Sequence, residues 1–234
     1  MDESLCHRHR FPAEVNSHAV WLYHRFSLSF RDIEALLASR GVLVSNETIR
    51  QWCLKFGQAY TNTLRRSRPK RGEKWHLDEA YLSMNGKRHY LWRAVDQEGN
   101  VLDILVQSRR NRHAAKRFLR KLLKGLCYAP RVMITDKLKR YAAAKQDILP
   151  GVEHRQHKGL NNRAEVSHQP TRLKEKPMRH FKSPTQAQRF LSAHGPINKL
   201  FRCRRHLLSR ADDRAAREKA FLAWQIITNA LAAA

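Results

Sequence analysis

The sequence predicts an α/β fold in which a mixed β-sheet flanked by helices follows a small all-α domain. Two observations indicate this fold class. Apolar side chains recur at helical spacing in the N-terminal part of the chain, and from Trp75 onward they alternate as they do in strands. After three strand-like runs, helical stretches and short apolar runs follow each other in turn, which gives the element order βββαβαβα.

The charge of the chain indicates a polyanionic partner. Its 234 residues include 46 Lys and Arg but only 20 Asp and Glu, so the formal net charge is +26. Such a surface attracts nucleic acid or anionic membranes. Because no stretch approaches the roughly 20 apolar residues of a spanning helix, we expect double-stranded DNA and no membrane as the partner. The start of the chain, MDESLCHRHRF, lacks an apolar core of signal-peptide length, so we expect no export and a cytoplasmic location.

The cysteines and histidines do not indicate a zinc site or a disulfide framework. The four cysteines lie far apart, at positions 6, 53, 127 and 203, and form no C-x-x-C pair. The HRH cluster at positions 7 to 9 has no matching second half. We interpret the cysteines as reduced thiols and the histidines as surface or nucleic-acid-facing side chains.

Three short helices are predicted before residue 60. Ser29 is a good N-cap for the second helix, and Gly41 ends it. Ser45 is a good N-cap for the third helix, which we expect to end at Gly57. The face of the third helix that lies opposite its apolar stripe carries Asn46, Glu47, Arg50, Gln51 and Lys55.

That polar face has the side chains that contact base edges and phosphates when a helix lies in the major groove. The three predicted helices therefore resemble a helix-turn-helix DNA-binding domain over residues 1–63. The alternative is an ordinary three-helix bundle with a solvated face.

A basic segment at residues 64–73 is predicted to link this domain to the next one. Pro and Gly interrupt it, and it shows no apolar period. We interpret it either as a solvated tether or as an arm that follows the DNA phosphate backbone. Its cations are Arg65, Arg66, Arg68, Lys70 and Arg71.

The sheet is predicted to begin with an antiparallel meander at about 74 to 84, 87 to 95 and 101 to 107. Asn85-Gly86 is a strong hairpin signal between the first two strands, and residues 97–100 form a longer polar turn. A helix containing Phe118 follows. The run Val132-Met133-Ile134 reads as a buried fourth strand. We expect a helix at 138 to 146, a strand at 151 to 156 and a helix opened by Asn161-Asn162.

Three acidic residues fall at key points of this order. Asp78 lies on the first strand, Asp136 follows the fourth strand and Glu165 lies on the helix after the fifth. Two-metal phosphodiester cleavage needs hard oxygen ligands that converge on one point. This placement is that of a ribonuclease H-like core, which we assign to residues 74–183.

Asp136 and Glu165 also have plainer interpretations, and Asp78 has an alternative in its neighbour Glu79. Asp78 and Glu79 must point to opposite faces of their strand, and we favour Asp78 because His76 and Ala80 give it a compact polar surrounding. Asp136 has the residue type of a helix N-cap. Glu165 has the pattern of an ordinary exposed helical glutamate.

Arg172 lies seven positions after Glu165, so an unbroken helix places both on one face together with His168 and Gln169. There the guanidinium would hold DNA phosphate beside the metal ions. Pro170 interrupts this stretch, and we expect it to kink or end the helix.

The residues at these positions resemble the catalytic segment of the DDE transposases of the insertion-sequence-six family. The resemblance covers about residues 15 to 200. Its first block is Trp75-His76-Leu77-Asp78-Glu79-Ala80-Tyr81, followed by Gly86-Lys87, Tyr90-Leu91, Arg93-Ala94-Val95-Asp96, Gly99, Asp103, Arg109 or Arg110, Ala114-Ala115 and Phe118. Its later blocks are Thr135-Asp136-Lys137, Tyr141, His154-Arg155-Gln156, Lys158, Asn161-Asn162, Glu165 and Phe181-Lys182-Ser183.

The resemblance implies that Asp78, Asp136 and Glu165 are the catalytic DDE residues and bind Mg²⁺ or Mn²⁺, as two ions. It implies that Arg172 occupies the position of the family's basic residue seven after the glutamate. It also implies that the helix-turn-helix recognises the terminal inverted repeats of a bacterial insertion sequence.

The function expected from these features is that of a transposase, which cleaves DNA strands and transfers them. One alternative is a nuclease that only hydrolyses DNA. Another is a catalytically inactive or non-enzymatic helix-turn-helix DNA-binding protein. Residues 184–234 are expected to form helices that pack on the core, and the last helix, from Phe221 to Ala234, is a candidate for self-association into a homo-oligomer on DNA.

Overall fold

The computed structural model describes residues 11–67, 72–136, 139–157, 159–175, 178, 180–202 and 209–233. Contacts divide the chain into two compact units. The helical unit consists of residues before 69 together with residues after 192, and the sheet unit consists of the residues between. In the described ranges no helix combines the length and the apolar character needed to cross a bilayer.

The helical unit begins with the three predicted helices. They are α1 (Ala13–Arg25), α2 (Phe30–Ala38) and α3 (Asn46–Arg66). Ser29 caps α2 in a capping box with Asp32, and the Ser45 side chain accepts a hydrogen bond from the Thr48 amide at the start of α3. The predicted caps are therefore confirmed.

The predicted end of α3 is wrong. The helix continues past Gly57 to Arg66, because its apolar face stays buried through Tyr60 and Leu64. Tertiary burial of this face outweighs the low helix propensity of one glycine. Arg65 and Arg66 consequently lie on the last turn of α3 and not in a linker. The other linker cations, Arg68, Lys70 and Arg71, lie outside the described residues.

The C-terminal segment, which was predicted to form helices that pack on the core, is helical over most of its described residues. Its helices are α8 (Pro184–Leu200) and α9 (Arg210–Ala233), and the segment after residue 192 belongs to the helical unit. The ring of Trp224 contacts Tyr60 of α3 at 5.2 Å between centroids, and Phe221 contacts Trp21 of α1 at the same distance. Apolar periodicity shows that a helix buries one face, but it does not say against which partner.

The sheet unit contains five strands in the order β3-β2-β1-β4-β5. They are β1 (Lys74–Met84), β2 (Lys87–Asp96), β3 (Val101–Gln107), β4 (Val132–Thr135) and β5 (Glu153–Gln156). The first three pair antiparallel, whereas β4 pairs parallel to both β1 and β5. Asn85 and Gly86 both have positive φ, at 49° and 72°, as the two-residue hairpin requires.

Helices cover both faces of this sheet. They are α4 (Arg112–Leu126), α5 (Lys139–Ile148), α6 (Asn162–Ser167) and α7 (Gln169–Glu175). The first two pack on the face that carries Leu77 and Trp92, where Phe118 and Tyr141 complete a buried cluster. The short helix α6 packs on β1 and β2. A mixed sheet of this order between helices is ribonuclease H-like, so the predicted fold class is confirmed.

Candidate active site

Asp78 and Asp136 are brought together by the pairing of β1 with β4. These strands are parallel, with His76 opposite Ile134, an offset of 134 − 76 = 58 positions. Asp78 and Asp136 have the same offset, 136 − 78 = 58, so the register continued past the end of β4 places the two acids side by side. The described part of helix α5 runs from Lys139 to Ile148. Residues 137 and 138 lie outside the described part.

Glu165 reaches this region because the start of α6 is fixed to β1. The buried Asn161 donates a hydrogen bond from Nδ2 to the carbonyl oxygen of Leu77 at 2.9 Å, beside Asp78. Ala164 is fully buried, which holds α6 against the sheet. Glu165 follows it on the exposed side of the helix. The structure thus brings the three predicted acids to one region of the sheet unit.

The electrostatics of Asp78 reflect this clustering. Burial, the largest cause, and the negative charges of Glu79, Asp136 and Glu165 raise the pKa of Asp78 to about 7, while a backbone hydrogen bond opposes the rise. Carboxylates that repel one another in this way favour a shared divalent cation, which offsets their charge.

These donors fit Mg²⁺ or Mn²⁺ in chemical type, since all three are carboxylates. Within the described ranges, however, no three Asp, Glu, His or Cys side chains lie close enough to hold one ion at their present separations.

His168 lies directly against Asp78. Its Nε2 is 3.6 Å from Oδ2 of Asp78, and the side chain is almost fully buried. Burial, followed by the positive charges of Arg93 and Arg172, lowers the pKa of His168 well below its usual value. The imidazole is therefore neutral at physiological pH, and neither ring nitrogen makes a hydrogen bond to another described group.

The predicted interruption at Pro170 is confirmed. Helix α6 ends at Ser167, and α7 begins at Gln169. His168 is buried, whereas Glu165 and Arg172 are exposed, so His168 does not share an exposed face with these two residues as predicted. Arg172 still lies near the site, since its charge acts on His168.

Glu79 points to the opposite face from Asp78, as predicted. Its side chain is fully buried and accepts hydrogen bonds from Nε of Arg110 at 2.6 Å and from the hydroxyl of Tyr141 at 2.7 Å. Burial is the largest cause that raises the pKa of Tyr141 well above its usual value, and the charge of Glu79 adds to it. The Glu79 carboxylate therefore forms a buried hydrogen-bonded group with Arg110 and Tyr141.

Sequence reasoning gave no role to Arg93, which lies on β2 directly opposite Asp78. Its side chain is 1% exposed. The sequence did contain a signal for its burial, because Arg93 interrupts the apolar run from Leu91 to Val95. A charge inside such a run must be paired when it is buried.

On the face of α3 that was predicted to contact DNA, three of the polar side chains form hydrogen bonds to acidic side chains of the same protein. The Asn46 side-chain amide donates to Oε2 of Glu34 at 2.8 Å. Arg50 donates to both carboxylate oxygens of Glu47, and Gln51 donates to the same carboxylate at 3.3 Å. Hydrogen bonds from Arg50 and then Gln51 lower the pKa of Glu47 to about 2. Lys55 is exposed, with its ammonium 5.5 Å from the Phe56 ring centre.

Comparison with known proteins identifies similar sequences. Residues 72–204 match the model of a family described as a DDE domain. The chain is 32% identical over 171 residues to the transposase for insertion sequence-like element IS431mec of Staphylococcus aureus, covering 71% of this chain and 76% of that protein. The match to the transposase for insertion sequence element IS257 in transposon Tn4003, also of Staphylococcus aureus, has the same identity and coverage.

Two further similarities cover less of the proteins concerned. An uncharacterized protein of Yersinia pseudotuberculosis, pYV0051, is 38% identical over 72 residues, which are 30% of this chain and 67% of that protein. Among solved structures, the simian T-cell lymphotropic virus intasome in complex with the PP2A regulatory subunit B56 gamma has a TM-score of 0.40 and 14% identity. That alignment covers 55% of this chain and 51% of the other.

Proposed function

Because this chain belongs to the DDE transposases of the insertion-sequence-six family, we propose that it is the transposase of a bacterial insertion sequence, which binds the terminal inverted repeats and catalyses metal-dependent strand cleavage and strand transfer. The observation that carries the site assignment is the common register offset of Asp78 and Asp136, with α6 fixed beside them by Asn161.

Asp78, Asp136 and Glu165 are the residues that would hold the metal, Mg²⁺ or Mn²⁺, as two ions. When bound, the ions stabilise the charge on the attacking and leaving oxygens of an in-line displacement at phosphorus. In cleavage a water oxygen forms a bond to phosphorus, the bond to the 3′-oxygen breaks, and that oxygen leaves as a hydroxyl. In transfer this 3′-hydroxyl oxygen forms a bond to a phosphorus of the target DNA. The bond from that phosphorus to the 3′-oxygen of the target strand breaks, and this oxygen leaves as a hydroxyl.

The remaining site residues act on the DNA or on the acids. Arg172 is exposed beside the site and offers a guanidinium to a phosphate oxygen. His168 stays neutral and does not compete with a cation for Asp78.

Recognition of the element ends is assigned to the N-terminal helices. Asn46, Arg50, Gln51 and Lys55 would face the major groove. The basic residues Arg65, Arg66, Arg68, Lys70 and Arg71 would follow the phosphate backbone. Joining two element ends requires two active sites on one assembly. We therefore propose that the chain forms a homo-oligomer on DNA. The proposed substrates are double-stranded DNA, namely the element ends and target DNA, and the proposed location is cytoplasmic.

The test uses the purified full chain with labelled DNA that carries the two ends of the element, in Mg²⁺ and in EDTA. We expect metal-dependent cleavage and joined products in the parent and neither in Asp78→Asn, Asp136→Asn or Glu165→Gln. Glu98→Gln is the matched control, because Glu98 lies on the exposed turn before β3. Glu79→Gln does not serve this purpose, because the Glu79 side chain is buried. Retained cleavage in any triad variant would refute the catalytic assignment.

The same assay separates the alternatives. Cleavage without joined products indicates a hydrolytic nuclease. Specific binding of the ends with no metal-dependent product indicates a non-enzymatic or inactive DNA-binding protein.

A further inference from the structure

Arg93 is a buried cation at the centre of the sheet. It faces the same side as Asp78, its direct partner across the β1–β2 pairing. Burial, the largest cause, lowers the pKa of Arg93 to about 10, and the charge of Asp78 opposes this, so the guanidinium remains protonated at neutral pH. A buried charge is costly unless it is paired and hydrogen-bonded. The contacts of Arg93 therefore indicate what it does.

Those contacts span the break between α6 and α7. One terminal nitrogen of the guanidinium donates to the carbonyl oxygen of Ser167, the last residue of α6. The other donates to Oγ1 of Thr171 in α7 at 2.7 Å. Carbonyls at the end of a helix lack partners within the helix, so Arg93 satisfies one of them from outside.

The residue in the break is His168, which lies against Asp78 with Nε2 and Oδ2 3.6 Å apart. The charge of Arg93 acts on His168 as well. One guanidinium thus meets the end of α6, the start of α7 and the surroundings of Asp78. Glu165 precedes Ser167 by two positions, and Arg172 directly follows Thr171.

We propose that Arg93 is a positioning residue of the active site, which holds the α6–α7 break against β1 and β2 and thereby sets Glu165 and Arg172 relative to Asp78. The inference rests on the proposed function. Arg93 is too deeply buried to reach DNA, so it acts through the residues that it holds.

The alternative is that Arg93 only contributes to folding. In that case its replacement lowers the stability of the protein, but the fraction that is folded binds metal as the parent does. Metal affinity at a temperature well below unfolding therefore separates the two roles.

The experiment compares Arg93→Lys, which keeps the charge but not the two-pronged donation, and Thr171→Val, which removes one acceptor at similar volume. Arg88→Lys is the matched control, since Arg88 lies on the same strand but is exposed. Each full-length protein is titrated with Mn²⁺ without DNA and followed by electron paramagnetic resonance. The Mg²⁺ concentration for half-maximal cleavage and the unfolding temperature are measured in parallel.

We expect Arg93→Lys to weaken Mn²⁺ binding by about ten-fold or more, the range seen when residues that orient metal ligands are changed. Thr171→Val weakens it less, and raising Mg²⁺ restores cleavage in both variants. Arg88→Lys matches the parent.

Unchanged Mn²⁺ affinity and unchanged Mg²⁺ dependence in both Arg93→Lys and Thr171→Val overturn the proposal, whatever their unfolding temperatures. If Arg93→Lys does not fold, Thr171→Val alone decides in the same way. An Asp78→Asn variant identifies a different failure: if it binds Mn²⁺ as tightly as the parent, the proposed metal site is wrong, and the inference falls with it.

Discussion

Asp78 on β1 lies directly across the sheet pairing from Arg93 on β2, and that guanidinium is almost completely buried. The negative charges of Asp136 and Glu165 also act on Asp78. Asp78, the first of the proposed catalytic acids, is therefore a partly buried carboxylate among other carboxylates. This arrangement favours metal binding and has a measurable effect on stability.

Replacing Asp78 by Asn is expected to stabilise the metal-free protein, and the gain should grow with pH. The folded-state pKa of Asp78, about 7, lies above its ordinary value of 3.8, so the folded state binds this proton more tightly than the unfolded state. Stability of the parent then falls as pH rises between these two values. The full difference corresponds to at most about 4 kcal/mol. Urea denaturation of both proteins in EDTA at pH 5 and pH 8 measures it.

Asp147→Asn is the control of opposite sign. Hydrogen bonds from Lys116 and then Arg112 lower the pKa of Asp147, so its contribution is present above its ordinary pKa and is lost as pH falls. We expect this variant to be less stable than the parent at pH 8. A gain for Asp78→Asn that does not increase from pH 5 to pH 8 would contradict the assigned pKa shift.

Tyr141→Phe is expected to destabilise the sheet unit. It removes the hydroxyl that donates to the buried Glu79 carboxylate at 2.7 Å and leaves that oxygen with one fewer donor. We expect a loss of about 1 to 3 kcal/mol in the free energy of unfolding, measured with urea. In the control, Tyr128→Phe, the hydroxyl donates to the carbonyl oxygen of Gly72 and accepts from Nε1 of Trp75, both at 3.3 Å. These bonds are longer and join neutral groups, so the loss should be smaller. Equal losses in the free energy of unfolding would show that the hydrogen bond to Glu79 contributes no more to stability than the hydrogen bonds of Tyr128.

Pro170→Ala is expected to reduce cleavage without reducing stability. Alanine restores an N–H that can donate to the carbonyl of Val166, so α6 can continue through the break and carry Arg172 to a new direction. Helix content by circular dichroism should rise slightly, and the unfolding free energy should change by less than about 1 kcal/mol. Pro184→Ala, at the exposed start of α8, serves as the control. Parent-like cleavage by Pro170→Ala would mean that the break is not needed to place Arg172.

Arg50→Ala is expected to weaken DNA binding and to lower its salt dependence. If Arg50 leaves Glu47 for a phosphate, its loss reduces the slope of log affinity against log salt by about 0.9. Fluorescence anisotropy with duplex DNA at several NaCl concentrations measures the slope. Glu47→Gln should raise the affinity, because it releases both Arg50 and Gln51. Arg214→Ala is the control, because Arg214 is an exposed arginine on α9. If Arg50→Ala has the same slope as the parent, Arg50 does not contact DNA phosphate.

The meander, the hairpin at Asn85-Gly86, the caps of α2 and α3 and the break at Pro170 were predictable from the sequence. Each depends on side chains within a few positions of one another, through alternation, positive φ, a capping hydroxyl or a missing N–H. The three acids were proposed from their places on local elements and from the family resemblance.

The tertiary structure alone decided which distant residues meet. It carried α3 past Gly57, since burial of Tyr60 and Leu64 outweighs local propensity, and it placed α9 against α1 and α3. It also set Arg93 opposite Asp78 and across the α6–α7 break, although 74 positions separate Arg93 from Ser167. Strand register and burial fix such contacts, and neither is written in the spacing of a single segment.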